Sequence, residues 1–556
     1  MATYYVDATG GDDGALGTSP ETAWQTWNKA RGITYSAGDI IKFNRGDTWS
    51  VGNNGYWAIT EDGTAENYIT IDAYGTGTKP IIDCEEEFNG KTWTEETGVG
   101  ANIWSTPFTV QVYRVRFDGQ DSGMATTSAG VDGSTYLWHW NTTDDKLFVY
   151  ATENPNTAYT NIKVAQTNRN AFDMNGCDYI KIQNLRIHGG KFAVYFYPAA
   201  TTSYIEFNDC DFWYGYNAIT CSMTAGGGGT TNYITLDGND FDSKPNYIST
   251  AISNAEDCVY DAVTIDNECN NWTIQNNTFT GWCHNHLSLM AKASSSQGIN
   301  NCIIQNNTFD GSGTVYVRAY SVSGIDGKAV GNIFRYNIIH DTNCRIQFGG
   351  NDNEFYYNII YHIVDCPATN KSDVSEGLLL TIIDPGMVCV GALIYNNTFY
   401  DTYDESISIG DPTGTCLIKN NILSEVQGNY PNAVMVWIAS TTGHTVSNNC
   451  LYDSDSSSVV WIEDDSAYRT VAYCDTNYAA FSSNVGSDPL MTDPANDDFT
   501  LQITSPCLNA GTNVSLTTDY AGNSVGVLPD IGAYEHQGVR ASPGQNGIYL
   551  SMGMSL

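Results

Sequence analysis

The chain has 556 residues, of which only 15% are charged, and 62 Asp and Glu against 24 Lys and Arg give a formal charge of −38. That balance excludes nucleic-acid binding, which depends on Lys and Arg neutralising phosphates, and it makes anionic membranes poor partners. No apolar run is long enough to span a bilayer, so membrane insertion is not expected; abundant Gly and Tyr suit turns and strand faces instead.

Met1 leads straight into Thr3, Tyr4, Tyr5 and Val6 without the basic and apolar regions of a signal peptide. Tyr4-Tyr-Val-Asp-Ala-Thr-Gly-Gly-Asp-Asp-Gly, then Thr22-Ala-Trp-Gln-Thr-Trp and Ala37-Gly-Asp-Ile-Ile-Lys-Phe-Asn-Arg-Gly-Asp-Thr-Trp, predict a strand, a short capping helix and a first coil over 1–83. From 84 to 165 the pattern changes. Trp93, Trp104, the alternating stretch Val110 to Gly119, Leu137 to Trp140 and Lys146 to Tyr150 predict a small antiparallel β insertion.

Over 166–455 the chain repeats. Tyr179-Ile-Lys-Ile-Gln, Tyr233-Ile-Thr-Leu, Trp272-Thr-Ile-Gln and Cys302-Ile-Ile-Gln are short β-branched runs bounded by Asn, Asp and Gly, and they read as strands. An Asn stands two residues before a large apolar residue in every unit: Asn239, Asn277, Asn307, Asn337, Asn358, Asn397, Asn421 and Asn449 precede Phe241, Phe279, Phe309, Ile339, Ile360, Phe399, Leu423 and Leu451. Repetition every ~20 to 40 residues marks stacked units. With no helical period between them, these units suit a parallel β-helix, in which an inward Asn at one corner bonds its own turn and the next Asn. The sequons at Asn276, Asn306 and Asn396 are by-products of that ladder. The 15 cysteines show no CxxC spacing and are expected as buried thiols, several at the start of repeats. Excursions over 242–262 and 362–392 lengthen single coils, as binding loops do. The glycines 226–229 lack the Lys-Ser/Thr of a phosphate loop.

Residues 456–536 contain Ser505-Pro-Cys-Leu-Asn-Ala-Gly, Asp519-Tyr-Ala-Gly and Pro529-Asp-Ile-Gly-Ala-Tyr-Glu. These, the N-terminal run and the ladder resemble the caps and coils of right-handed parallel β-helix proteins related to polysaccharide lyases and phage tailspikes. The resemblance covers nearly the whole chain and implies an all-β right-handed solenoid with an N-terminal cap and a C-terminal closure. It specifies fold well and chemistry poorly, because the fold hosts hydrolases, lyases and adhesins. The tail 537–556 ends apolar and is expected to dock on the cap, on another subunit in a homo-oligomer or on other virion proteins.

Alternation places candidate chemistry on one face. Asp266 and Glu268, His284 and His286, Tyr316 and Arg318, then Arg345 and Gln347 should point outward in four successive coils, a strip roughly 15 Å tall. Hydrolysis would use Asp266 and Glu268 as acid and base, with Asp257 and Asp261 nearby. Uronate elimination would use His286 or Tyr316 to move protons and Arg318, Arg345 or Lys292 to hold the carboxylate. Lyases of the resembling group often add calcium, for which the acidic residues supply oxygen ligands. Trp282, Trp213, Tyr214 and Trp437 are candidates for sugar stacking. The expected function is an extracellular or virion-associated, carbohydrate-binding depolymerase acting on a polysaccharide or cell-surface glycan, and the rival is a non-catalytic adhesin or decoration protein.

Overall fold

Each coil turns one corner in two residues, and the first of them takes the left-handed backbone conformation. Asn276, Asn306, Asn396, Asn420 and Asn448 have φ between 55° and 57°, a conformation that Asn tolerates better than most side chains. The Asn that follows points inward. Asn277 Nδ2 donates to Asn307 Oδ1 at 3.0 Å, Asn307 to Asn337 at 3.0 Å, Asn337 to Asn358 at 3.1 Å and Asn358 to Asn397 at 3.0 Å. The same bond links Asn239 to Asn277 and carries on through Asn421 and Asn449 to Asn484. The Asn doublets are therefore two jobs side by side, one for the bend and one for the buried polar groups inside it.

The computed structural model describes residues 1–125, 127–131, 137–197, 199–221, 229–244, 261–266, 268–282, 285–291, 298–311, 314–319, 329–342, 346–363, 378–379, 390–410, 414–428 and 433–537. Each coil visits three parallel sheets in turn. In one, Thr273–Gln275, Thr278–Thr280 and Asn285–Ala291 follow one another, and the next coil repeats them as Ile303–Gln305, Thr308–Asp310 and Thr314–Ala319, with Ile274 opposite Ile304 and Phe279 opposite Phe309. The first sheet has 18 strands, the second 12 and the third 13 among the described residues. The result is the parallel β-helix that the repeats predict, right-handed as the resemblance implies.

Like residues stack on like inside it. Phe212, Phe241, Phe279 and Phe309 form a column with ring centroids 4.8 Å apart at each step, which is the strand spacing itself. Burying each ring stabilises the fold by roughly 1.5–3 kcal/mol. Ten cysteines lie among the described residues and all are buried, as expected.

At the N-terminus Thr3–Val6 pairs with Ile40–Asn44, and the helix Trp27–Arg31 covers the end of the core with Trp27. The insertion leaves the second coil after Ile81–Asp83 and returns at Phe172–Met174. Between them lies a separate, mainly antiparallel sheet of eight strands with its own core around Phe88, Trp138 and Val164. The chain after the helix Val471–Asn477 runs back along the Asn corner: Asn420 Nδ2 donates to the Thr512 carbonyl at 2.7 Å, Asn396 Nδ2 to Gly532 at 3.1 Å, and Tyr520 lies 6.3 Å from Tyr336. The tail from 538 onward lies outside the described residues. Among those described, no helix is long and apolar enough to cross a membrane.

Candidate functional site

The outward face of the third sheet is set by register. Asp173, Tyr195, Thr220, Thr264, Ser288, Tyr316 and Gln347 form one column, and their neighbours Val263, Ile265, Leu287 and Leu289 fill the core. The column is polar, yet Thr264, Ser288 and Gln347 are 8%, 0% and 3% exposed. Thr264 Oγ1, Ser288 Oγ and Gln347 Oε1 have no hydrogen-bond partner among the described residues. Each such atom costs about 1–3 kcal/mol, and a native chain keeps several together where something else is meant to satisfy them. Asp173, in the same column, has its carboxyl pushed up to about 6 by burial, against the opposing hydrogen bond from Asn170 at 3.1 Å.

By backbone register Gln347 and Tyr316 fall in this column, and Arg318 comes two residues beyond Tyr316, opposite Met290. Asp266 follows the end of the strand Asp261–Ile265 and is half-buried. Glu268 does not share its face. The chain turns within two residues, and Glu268 opens the strand Glu268–Asn270 of the first sheet, where its carboxylate accepts a bond from Asn270 at 2.9 Å. Asp261 lies at the far end of its strand, buried, and accepts a bond from the Asn285 amide at 2.6 Å.

His286 was expected outward and is inside. Asn285 pairs with Thr314 and Leu287 with Val315, so His286 is the extra residue of a β-bulge, which re-aims its side chain. Its ring lies 6.4 Å from Phe279 and 6.1 Å from Phe309, and Nε2 is 3.2 Å from the Gly311 carbonyl. Burial drives its pKa down to about 4. Trp282 is also core: it is fully buried and donates to the Phe241 carbonyl at 3.0 Å, so it offers no face to a sugar. The Trp213 ring is covered by Arg186 at 3.5 Å and Lys244 at 4.4 Å, and Tyr214 by Arg116 at 3.7 Å. Trp437 stays half-buried beside Ser408 and Trp461 on the third sheet. His284, Lys292, Arg345 and Asp257 lie outside the described residues, as does most of both excursions.

Sequence reasoning missed Asp173 and a second cluster. On the second sheet the outward column runs Asp242, Thr280, Asp310, His340, Tyr361 and Tyr400. Every one of these follows a ladder Asn by three residues, so the ladder that located the third-sheet strip also locates this one. Asp310, His340 and Asp341 converge there, and among the described residues they alone form a trio able to hold a metal ion.

No family model and no curated protein sequence matches the chain. Among solved structures, a complex of XylC with xylose matches over 96% of this chain and 98% of that one, at 12% identity and a TM-score of 0.50. Pectate lyase Pel9A matches over 97% of both chains at 13% identity and a TM-score of 0.44. A GH136 lacto-N-biosidase from Eubacterium ramulus matches over 88% of this chain and 67% of that one, at 14% identity and a TM-score of 0.40. At such identities the likeness to XylC is one of fold, the parallel β-helix.

Proposed function

We propose that the chain binds a polysaccharide along the outward face of its third sheet and cleaves it there, outside a cell, as a secreted or virion component. The observation that carries this reading is the column of buried polar atoms at Thr264, Ser288 and Gln347 that have no partner among the described residues. With the groups that now bury them moved aside, hydroxyl groups of successive sugars would satisfy such atoms one coil after another, since both have a repeat along the axis. The XylC structure contains xylose, and its fold supports a carbohydrate ligand here by analogy.

Asp266 at the edge of the column and Asp173 further along it supply carboxyl groups of different character. Asp173, raised to about 6, suits a proton donor, whereas Asp266 is the carboxylate nearest the unpartnered atoms in sequence. Three coils separate the Asp173 position from Thr264, about 14 Å at the strand spacing. That is too far for the two to serve one glycosidic bond, which needs carboxyl groups about 5–9.5 Å apart.

The test uses the full-length protein against a panel of neutral and acidic polysaccharides, scored for reducing ends and for absorbance of unsaturated products. Asp266→Asn is expected to lower cleavage about 100-fold or more while binding persists. Binding without cleavage by the wild type would instead support the adhesin reading. Absence of binding to any glycan would defeat the proposal.

A further inference from the structure

Two of the eight histidines meet on the second sheet, on a face separate from the glycan column. His340 ends the strand Ile338–His340, and its ring stacks on Tyr361 of the next coil, with centroids 5.2 Å apart and planes 8° from parallel. The stack leaves Nδ1 facing carboxylates. Asp341 Oδ2 lies 2.8 Å from it and Asp310 Oδ1, from the coil before, 3.8 Å. The other Asp341 oxygen is 3.6 Å from His362 Nδ1, and His362 Nε2 is 4.0 Å from Asp401. Asp341 thus sits between imidazoles of consecutive coils.

We infer that Asp310, His340 and Asp341, with His362 beside them, bind a divalent transition-metal ion of the zinc or manganese type. One donor atom from each of the three falls within 4.8 Å of the other two. Donors held ~2.0–2.2 Å from one ion stand about 3–3.5 Å apart, so the observed 2.8 and 3.8 Å bracket what coordination requires, and shifts of a few tenths of an ångström complete it. Imidazole nitrogen with carboxylate oxygen selects zinc, manganese or their neighbours; calcium prefers oxygen alone. Asp310 and His340 are half-buried and Asp341 is exposed, which leaves one side open for water in the remaining positions. Tyr361 fixes the imidazole plane, as a supporting residue does around a metal ligand. The strand Asp498–Leu501 flanks the site, where its Phe499 packs on Tyr361 at 5.1 Å and on Tyr400 at 5.6 Å. A bound ion would tie the coils of Asp310 and His340 together at this flank.

Isothermal titration of zinc chloride, and in a separate run of manganese chloride, into tag-free, chelator-treated full-length protein tests this. One equivalent is expected to bind with micromolar affinity or better and to raise the melting temperature. His340→Ala and Asp341→Asn should each weaken binding at least tenfold, and His340→Gln guards against misfolding, with circular dichroism confirming an unchanged metal-free fold. His139→Ala, on the insertion, should leave the affinity unchanged. Failure to bind zinc or manganese, or equal affinity in the His340 and Asp341 variants, overturns the inference and leaves a hydrogen-bonded His–Asp cluster. The readout does not involve glycan, so it stands or falls apart from the depolymerase reading.

Discussion

His286 carries a cost that pH exposes. In an unfolded chain its imidazole titrates near 6.5; in the core its pKa is near 4, because burial penalises the cation. Between those values the unfolded state holds a proton that the folded state does not, so stability falls as pH drops from about 6.5 towards 4 and is fully present above that window. The shift corresponds to about 3 kcal/mol. His188, also pushed to about 4 by burial, acts in the same direction. His286→Leu removes one of the two titrations, and urea unfolding at pH 7 and pH 4 should show the wild-type advantage over this variant shrinking by about 3 kcal/mol on acidification. A gap that does not change with pH would contradict it. The position also shows where the sequence stops being legible. Alternation gave the facing of Leu287, Leu289, Val263 and Ile265 correctly, but one inserted residue reverses the parity of everything before it, and nothing in the run of residues 284–289 announces a bulge. Trp282 was misplaced for a related reason: an aromatic just past a strand end folds back under the corner to reach the Phe241 carbonyl.

At the scale of elements, the insertion is held to the solenoid by buried ions rather than by apolar contact alone. Arg114 is fully buried and pairs with Asp121 through two bonds of 2.5 and 2.6 Å. Its remaining donors reach across to the solenoid, to the Gly215 carbonyl at 3.2 Å and the Ser243 carbonyl at 2.9 Å. Arg116 pairs likewise with Glu85, which the guanidinium holds below the usual carboxylate range despite complete burial. Removing one partner of a buried pair costs about 3–5 kcal/mol because the other is stranded, whereas replacing both with apolar residues can be neutral. Asp121→Ala should therefore open the insertion, seen as faster amide exchange across 103–150 and earlier proteolysis there. Arg114→Met combined with Asp121→Leu should restore much of the protection, and equal exchange in all three proteins would refute the clamp. The insertion itself was visible in the sequence, since strand-period alternation over 84–165 lacks the ladder Asn. Its docking was not, because the pairing of Arg114 with carbonyls more than 100 residues away leaves no local periodic trace. The ladder, by contrast, was legible over Asn239 to Asn449, because one corner repeated many times writes the same residue at the same phase each time; only its last rung, Asn484, went unread.

The whole molecule is a rod of stacked coils bearing a charge of −38, and that field decides which glycans can approach. At about 0.01 M salt the screening length is about 30 Å, and at 0.15 M it is about 8 Å. A uronate polymer coming towards the third sheet is repelled over the longer range by the net charge. A neutral polysaccharide feels none of this. Association of an acidic glycan should therefore speed up several-fold as salt rises from about 0.01 to 0.15 M, whereas association of a neutral one should stay constant. Measured association rates for both classes on the same surface-immobilised protein check this. If an acidic glycan instead binds more slowly as salt rises, a local cationic patch outweighs the net charge, and the position to replace first is Arg318, whose backbone pairs opposite Met290.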